Sequence, residues 1–144
     1  MMIFVNLPVA DLDRAIAFYT AVGATQNAQY SDPTAAMMRF SDTIAVMLLT
    51  HERFLGFNPK KAIVDAKVSS EVMLCITAAS RADVDDRVAR AGAAGGRIDV
   101  NEPDEYDFMY GRSFEDPDGH LWGVNWIDMA ATAAMQGQPE TVEA

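Results

Sequence analysis

The chain of 144 residues is short of three things: cysteine, basic residues and long apolar runs. Its one cysteine, Cys75, excludes an internal disulfide and fits a reducing, cytoplasmic compartment. Lys and Arg total 11 against 21 Asp and Glu, a formal charge of −10. That excess repels phosphate backbones and anionic headgroups, which argues against nucleic acid and membrane as partners. The same field favours cationic or neutral ligands, although one well-placed Arg reverses the preference locally. No apolar run reaches the ~20 residues of a membrane span. Residues 1–9 lack the basic start of a secretory signal, so no export is expected. What remains is ordinary: 50% of residues are hydrophobic and 22% charged, enough for one domain with a sizeable core.

The strongest local signal is YGRSFEDPDGHLWGVNW, residues 110–126. Within it Asp116 can close a turn with its side chain, Pro117 presets φ, and Gly119 accepts positive φ. The turn predicts a hairpin between strands at 108–114 and 120–127. Along the second strand bulky Trp122, Val124 and Trp126 alternate with Leu121, Gly123 and Asn125, so the bulky face should pack on a helix.

In chain order, residues 2–9 alternate as a strand, with Ile3, Val5, Leu7 and Val9 on one parity and Phe4, Asn6 and Pro8 on the other. Asp11 caps a helix whose apolar positions Leu12, Ala15, Ile16, Tyr19 and Val22 share one face, and Gly23 stops it. Strands follow at 24–30, 35–40 and 43–50, the last apolar on both faces and therefore inside the sheet. Residues 51–70 read as an irregular connection. A strand at 71–77 leads to a second helix, capped by Ser80 with Asp83 three residues on, carrying Val84, Val88 and Ala91 and stopped by Gly92. A short strand lies near 97–100. After Asp128 the composition falls to Ala, Met, Gln, Gly and Pro, predicting one helical turn at most and a flexible tail over 129–144.

The layout repeats. At the spacing that separates Gly23 from Gly92, Ala15, Tyr19 and Val22 fall on Val84, Val88 and Ala91. The fold class expected is α+β: two βαβββ modules, about 2–50 and 70–128 with linker 51–69, forming a curved mixed sheet with helices outside. On this reading Ile3, Val5, Leu7, Val72, Leu74, Trp122 and Trp126 lie beneath the helices. Val46, Leu48, Met73 and Cys75 face away, and an open apolar face of that kind predicts a homodimer.

The opening FVNLPVAD at 4–11, the helix ending Phe18-Tyr19 and the DPDGH at 116–120 resemble the vicinal oxygen chelate superfamily, which holds glyoxalase I, extradiol dioxygenases, fosfomycin resistance proteins and bleomycin-binding proteins. Leu48-Leu49-Thr50, residues 54–60 and FMYGRSF at 108–114 are similar, more narrowly, to its lactoylglutathione lyase-related branch. The resemblance spans about residues 2–128. It implies a small-molecule site on the sheet face opposite the helices. In metal-using members four ligands come from the first and last strands of each half, and the matching positions here are Phe4, Leu48, Glu71 and Gly123. Of these only Glu71 can coordinate, whereas a catalytic ion generally needs about three protein ligands. The expectation is a protein without a metal cofactor that binds a small, largely apolar or aromatic molecule. The alternative is a lyase or extradiol-type dioxygenase using Zn, Ni, Fe or Mn on displaced ligands.

Within that cleft Glu71 is the candidate catalytic residue, as a general base or ligand-binding carboxylate, set against a solvated strand-end acid. Phe4, Leu48 and Met73 supply apolar walls, and Gly123 leaves space. Asn6 and Asn125 share the cleft parity and can orient a polar ligand or bond to neighbouring strands. Tyr110 and Arg112 are candidates for gripping an anionic group, with Arg112 paired to Asp116 or Asp118 as the competing role. A bulge at Gly111 would leave the parity of that strand open. Cys75 reads as a small buried hydrophobe rather than a nucleophile, and His51 and His120 as structural or solvated.

Overall fold

Alternation at the start of the chain produces β1 (Ile3–Val9), whose odd residues Leu7 and Val9 are buried. A computed structural model describes residues 1–137. In α1 (Leu12–Ala21) the Asp11 carboxylate accepts the Arg14 N–H at 3.0 Å, and Gly23 ends the helix at φ +107. Strands β2 (Thr25–Asp32), β3 (Ala35–Arg39) and β4 (Ile44–Thr50) complete the first module. After α2 (His51–Phe57) and a connection come β5 (Met73–Thr77), α3 (Arg81–Ala93), β6 (Arg97–Ile98), β7 (Asp104–Tyr106), β8 (Met109–Glu115) and β9 (Leu121–Ile127). At the start of α3 the Ser80 hydroxyl accepts the Asp83 N–H and the Asp83 carboxylate accepts the Ala79 N–H, each at 3.0 Å. Helix α4 (Met129–Gln136) starts at Asp128, whose side chain accepts from Ala130 and Ala131.

Each module closes in the same way. In the first sheet the order is β1-β4-β3-β2, in the second β5-β9-β8-β6, with β7 also on β8. The first strand of each module lies parallel to its last, and the remaining pairs are antiparallel. Parallel neighbours need a crossover, and α1 and α3 begin those crossovers. Both helices drop their apolar stripes into one shared core with Leu7, Val9, Val46, Leu48, Phe114 and Trp122. α1 lies at the centre of it: Phe18 meets Phe114 at 5.7 Å and Tyr19 meets Trp122 at 5.9 Å between ring centroids. Thus the paired βαβββ reading holds, and the hairpin turns where expected, with Gly119 at φ +93.

Several local expectations are corrected. Residues 51–57 form a helix, for which Thr50 supplies the cap by accepting the Arg53 N–H. Residues 129–136 form two turns rather than one, while the rest of the expected tail, from residue 138, lies outside the described residues. Strand β7 was not expected at all. Ile3 (57% exposed) and Val72 (53%) are not covered by the helices. Ile3 stands at the far end of a strand of about 23 Å, under a ten-residue helix of about 15 Å, and Val72 precedes β5.

Parity in β4 is also reversed. Val46 and Leu48 pair with Val5 and Leu7 and join the core beneath α1, so Ala45, Met47 and Leu49 take the open face. Both faces of β4 are apolar, which leaves alternation alone unable to choose between them.

Candidate functional site

The open faces of the two sheets are built by strand parity. In the first module Phe4, Asn6 and Pro8 stand beside Ala45, Met47 and Leu49, and Met37 of β3 lies across from Met47. Here a cavity of about 510 Å³ is lined by Met2, Phe4, Tyr30, Met37 and Met47, with Asn27 and the Arg39–Asp42 ion pair (2.8 Å) as its polar groups. Phe4 is 46% exposed, a large aromatic side chain left uncovered on a sheet. In the second module Met73, Cys75 and Thr77 stand beside Leu121, Gly123 and Asn125. Cys75 is exposed there, against its reading as a small buried hydrophobe. Asn125 leans over Gly111, where an added Cβ would collide with its Oδ1.

Asn6 and Glu71 meet in a third place, a pocket of about 240 Å³ between the modules. β1 contributes Asn6, Leu7 and Pro8, α2 contributes Phe54, the turn before β9 contributes His120, and the connection contributes Lys61 and Glu71. Glu71 precedes β5 and is exposed at the pocket. His120 is structural: its Nε2 is 2.8 Å from the Pro8 carbonyl, tying the hairpin turn to β1. His51 opens α2 and is exposed.

Tyr110 and Arg112 do not reach any of these spaces. The register of β8 on β9 runs without a break from Met109 to Glu115, so Gly111 holds no bulge. Tyr110, Arg112 and Phe114 therefore share the helix side. There Arg112 forks onto Asp99 (2.8 and 2.9 Å) and reaches Asp85 of α3 (2.8 Å), which also accepts the Tyr110 hydroxyl at 2.8 Å. Neither Asp116 nor Asp118 is its partner. The donated hydrogen bonds, from Tyr110 and then Arg112 on Asp85 and from Arg112 on Asp99, hold both carboxyls below the ordinary range. Arg81 completes the cluster, its guanidinium lying 5.4 Å from the Tyr110 ring and 5.1 Å from the Trp126 ring.

Asp116 is likewise structural. It is buried, accepts the Tyr19 hydroxyl at 2.7 Å, and accepts the backbone N–H groups of Asp118 and His120. Burial raises its pKa above the ordinary carboxylate value, against the opposing pull of His120 and these donors. Trp122 donates its indole N–H to Tyr19 at 3.1 Å, so the hairpin and α1 are joined by a closed polar chain within the core.

The ligand positions implied by resemblance do not fit a metal. Leu48 is sealed beneath α1, and Met47 takes the open-face place beside Asn6. Phe4 and Gly123 offer no donor, and an added Cβ at Gly123 would stand 2.9 Å from the Cys75 sulfur and 3.0 Å from the Met73 methyl. A side chain at position 123 would therefore have to displace the ends of Cys75 and Met73. Glu71 alone of the four carries an oxygen ligand. Among the described residues, no group of three or more His, Cys, Asp and Glu is placed to hold an ion. Sequence reasoning missed Met37, Met47 and Lys61. The first two became visible only once β4 was registered against β1 and β3, and Lys61 only once the connection was seen to fold over the pocket.

This geometry can be set beside known proteins. The family model of the Glyoxalase/Bleomycin resistance protein/Dioxygenase superfamily matches residues 2–124. The chain belongs to that superfamily. No curated protein matches it. Among solved structures of the superfamily's fold, a hypothetical protein from S. aureus is similar at 26% identity and a TM-score of 0.74, covering 88% of this chain and 93% of the other. A fosfomycin resistance protein, FosX from Mesorhizobium loti, is similar at 16% identity and a TM-score of 0.66, with 92% and 97% covered. A lactoylglutathione lyase from Agrobacterium tumefaciens is similar at 21% identity and a TM-score of 0.62, with 88% and 92% covered. At such identities the last two show a shared fold and not a shared reaction. Among its described residues no helix is long and apolar enough to cross a membrane.

Proposed function

We propose that this superfamily member is a small-molecule-binding protein that works without a metal and takes a largely apolar or aromatic compound on its open sheet face. The observation that carries the reading is the cavity of about 510 Å³ walled by Met2, Phe4, Tyr30, Met37 and Met47. Met side chains adapt to ligand shape, and Phe4 and Tyr30 offer flat faces for stacking. A homodimer belongs to the same proposal. Phe4 on one open face and Met73 on the other are both left half-exposed in a single chain, and a second copy would cover them. A catalytic role for Glu71 is not part of this reading, because the walls of that cavity do not include it.

The neutral aromatic probe N-phenyl-1-naphthylamine tests the site. Its emission should rise saturably with wild type and fail to rise with Met47→Asp and with Phe4→Asp, both folded by circular dichroism. Unchanged binding in both variants would remove the open face as the site. Sedimentation should give a dimer at micromolar concentration; a monomer mass counts against the assembly. Metal analysis of protein purified without chelator should give far less than one transition metal per chain, and a stoichiometric metal would revive lyase or dioxygenase chemistry.

A further inference from the structure

Apart from the cavity walled by Met37, Met47 and Phe4, the pocket between the modules differs from the rest of the surface in how its charges are used. Seven of the arginines are held in ion pairs with carboxylates: Arg14, Arg39, Arg81, Arg87, Arg90, Arg97 and Arg112. Lys61 and Glu71 line one pocket, yet among the described residues neither is in an ion pair. Asn58, Ser69 and Ser70 line the same pocket and add neutral polar groups to it. Below them the wall is apolar, made by Pro8, Phe54, Ile63 and Leu121.

The pocket is preformed. Its roof, the connection after α2, is seated on the hairpin turn so closely that a Cβ at Gly119 would stand 2.7 Å from the Lys67 nitrogen and 2.8 Å from the Ala66 carbonyl carbon. His120 ties the floor through Pro8. An ammonium and a carboxylate, neither in an ion pair among the described residues, line a pocket of about 240 Å³ that also has an apolar wall. Together they suit a specific chemistry. We propose that the pocket between the modules binds a small amphoteric molecule with an apolar body, the chemical class of an aliphatic or aromatic α-amino acid. Its carboxylate meets Lys61, its ammonium meets Glu71, and its side chain lies on Phe54 and Leu121. A plain carboxylic acid would set its charge against Glu71 and the net −10 of the chain. A plain amine would leave Lys61 unpaired beside it. The amphoteric ligand satisfies both groups at once, so the two charges should act together.

NMR titration with L-leucine and L-phenylalanine tests this, with 4-methylpentanoate and 3-methylbutylamine as probes that each lack one charge. At least one amino acid should bind saturably, shifting the amides of Ser69, Ser70, Glu71 and His120, and each single-charge probe should bind about tenfold more weakly or worse. Lys61→Ala and Glu71→Gln, both at exposed positions, should each abolish the advantage of the amino acid over one of the single-charge probes. The proposal is overturned if neither amino acid saturates by about 10 mM, if a single-charge probe binds as tightly, or if both variants bind like wild type. The naphthylamine measurement with Met47→Asp reads the open face alone, so failure there and failure here are told apart.

Discussion

The two modules share a topology and differ in how they hold their helices. α1 is buried on both sides, under its own sheet and against the hairpin of the other module, through Phe18 and Tyr19. α3 covers only the second sheet, with small Val84, Val88 and Ala91 at the equivalent places. Where α1 has aromatic contacts and one buried polar chain, α3 has the surface network of Arg112, Asp85, Asp99 and Tyr110. A central helix can be fixed by packing; a peripheral helix with a narrower apolar stripe also needs directional bonds at its edge.

The largest test of this contrast is Trp122→Ala. It removes the partner of Tyr19, Phe40 and Phe114 at once and should cost about 3–5 kcal/mol in denaturant melts. A loss under about 1 kcal/mol would mean that the two modules do not share a core. Next comes Tyr19→Phe, which keeps the ring but strips the buried Asp116 carboxyl and the Trp122 N–H of a partner. About 2 kcal/mol is expected at neutral pH. Because burial raises the Asp116 pKa, the folded state favours its protonated form. That contribution is present in full below the ordinary value of about 3.9 and fades as pH rises through the folded value. The variant lacks a donor to the charged form, so its deficit should shrink as pH is lowered toward 4. A deficit that stays constant with pH would assign the loss to the unpaired Trp122 N–H rather than to the Asp116 carboxylate.

Smallest is Arg112→Met at the edge of α3. Asp85 is 54% exposed and Asp99 36%, so solvent screening limits the loss to about 1 kcal/mol at pH 7. Its pH dependence runs with the opposite sign. Both carboxyls are held below their ordinary range, so their contribution is present above about 3.9 and is lost as pH falls through the depressed values. Urea melts at pH 7 and pH 3 should therefore show wild type and variant converging in acid. An equal gap at both pH values would assign Arg112 a packing role and dissolve the distinction between the helices.

Much of this was legible beforehand where one residue type has one use. Asp11 and Ser80 as caps, Gly23 as a stop, the turn at 116–119 and the parity of β1 and β9 all follow from local chemistry. β4 resists because it is apolar on both sides, so alternation alone cannot tell that Leu48 lies under α1 and not on the open face. Arg112 and Tyr110 resisted because strand parity without a helix position cannot say which carboxylate is near; Asp85 is far away in sequence and one side chain away in space.

By itself, then, the sequence determined the two-module order, its capped helices and its hairpin, since each rests on interactions between residues a few positions apart. It also determined that Phe4 and Gly123 cannot be metal ligands, a matter of atoms they do not have. Tertiary structure alone decided which face of β4 meets the helix, which acids Arg112 holds, and that Asn6, Lys61 and Glu71 share a pocket. Those outcomes depend on register and on the path of the connection over Gly119, and both are set by packing summed across distant segments.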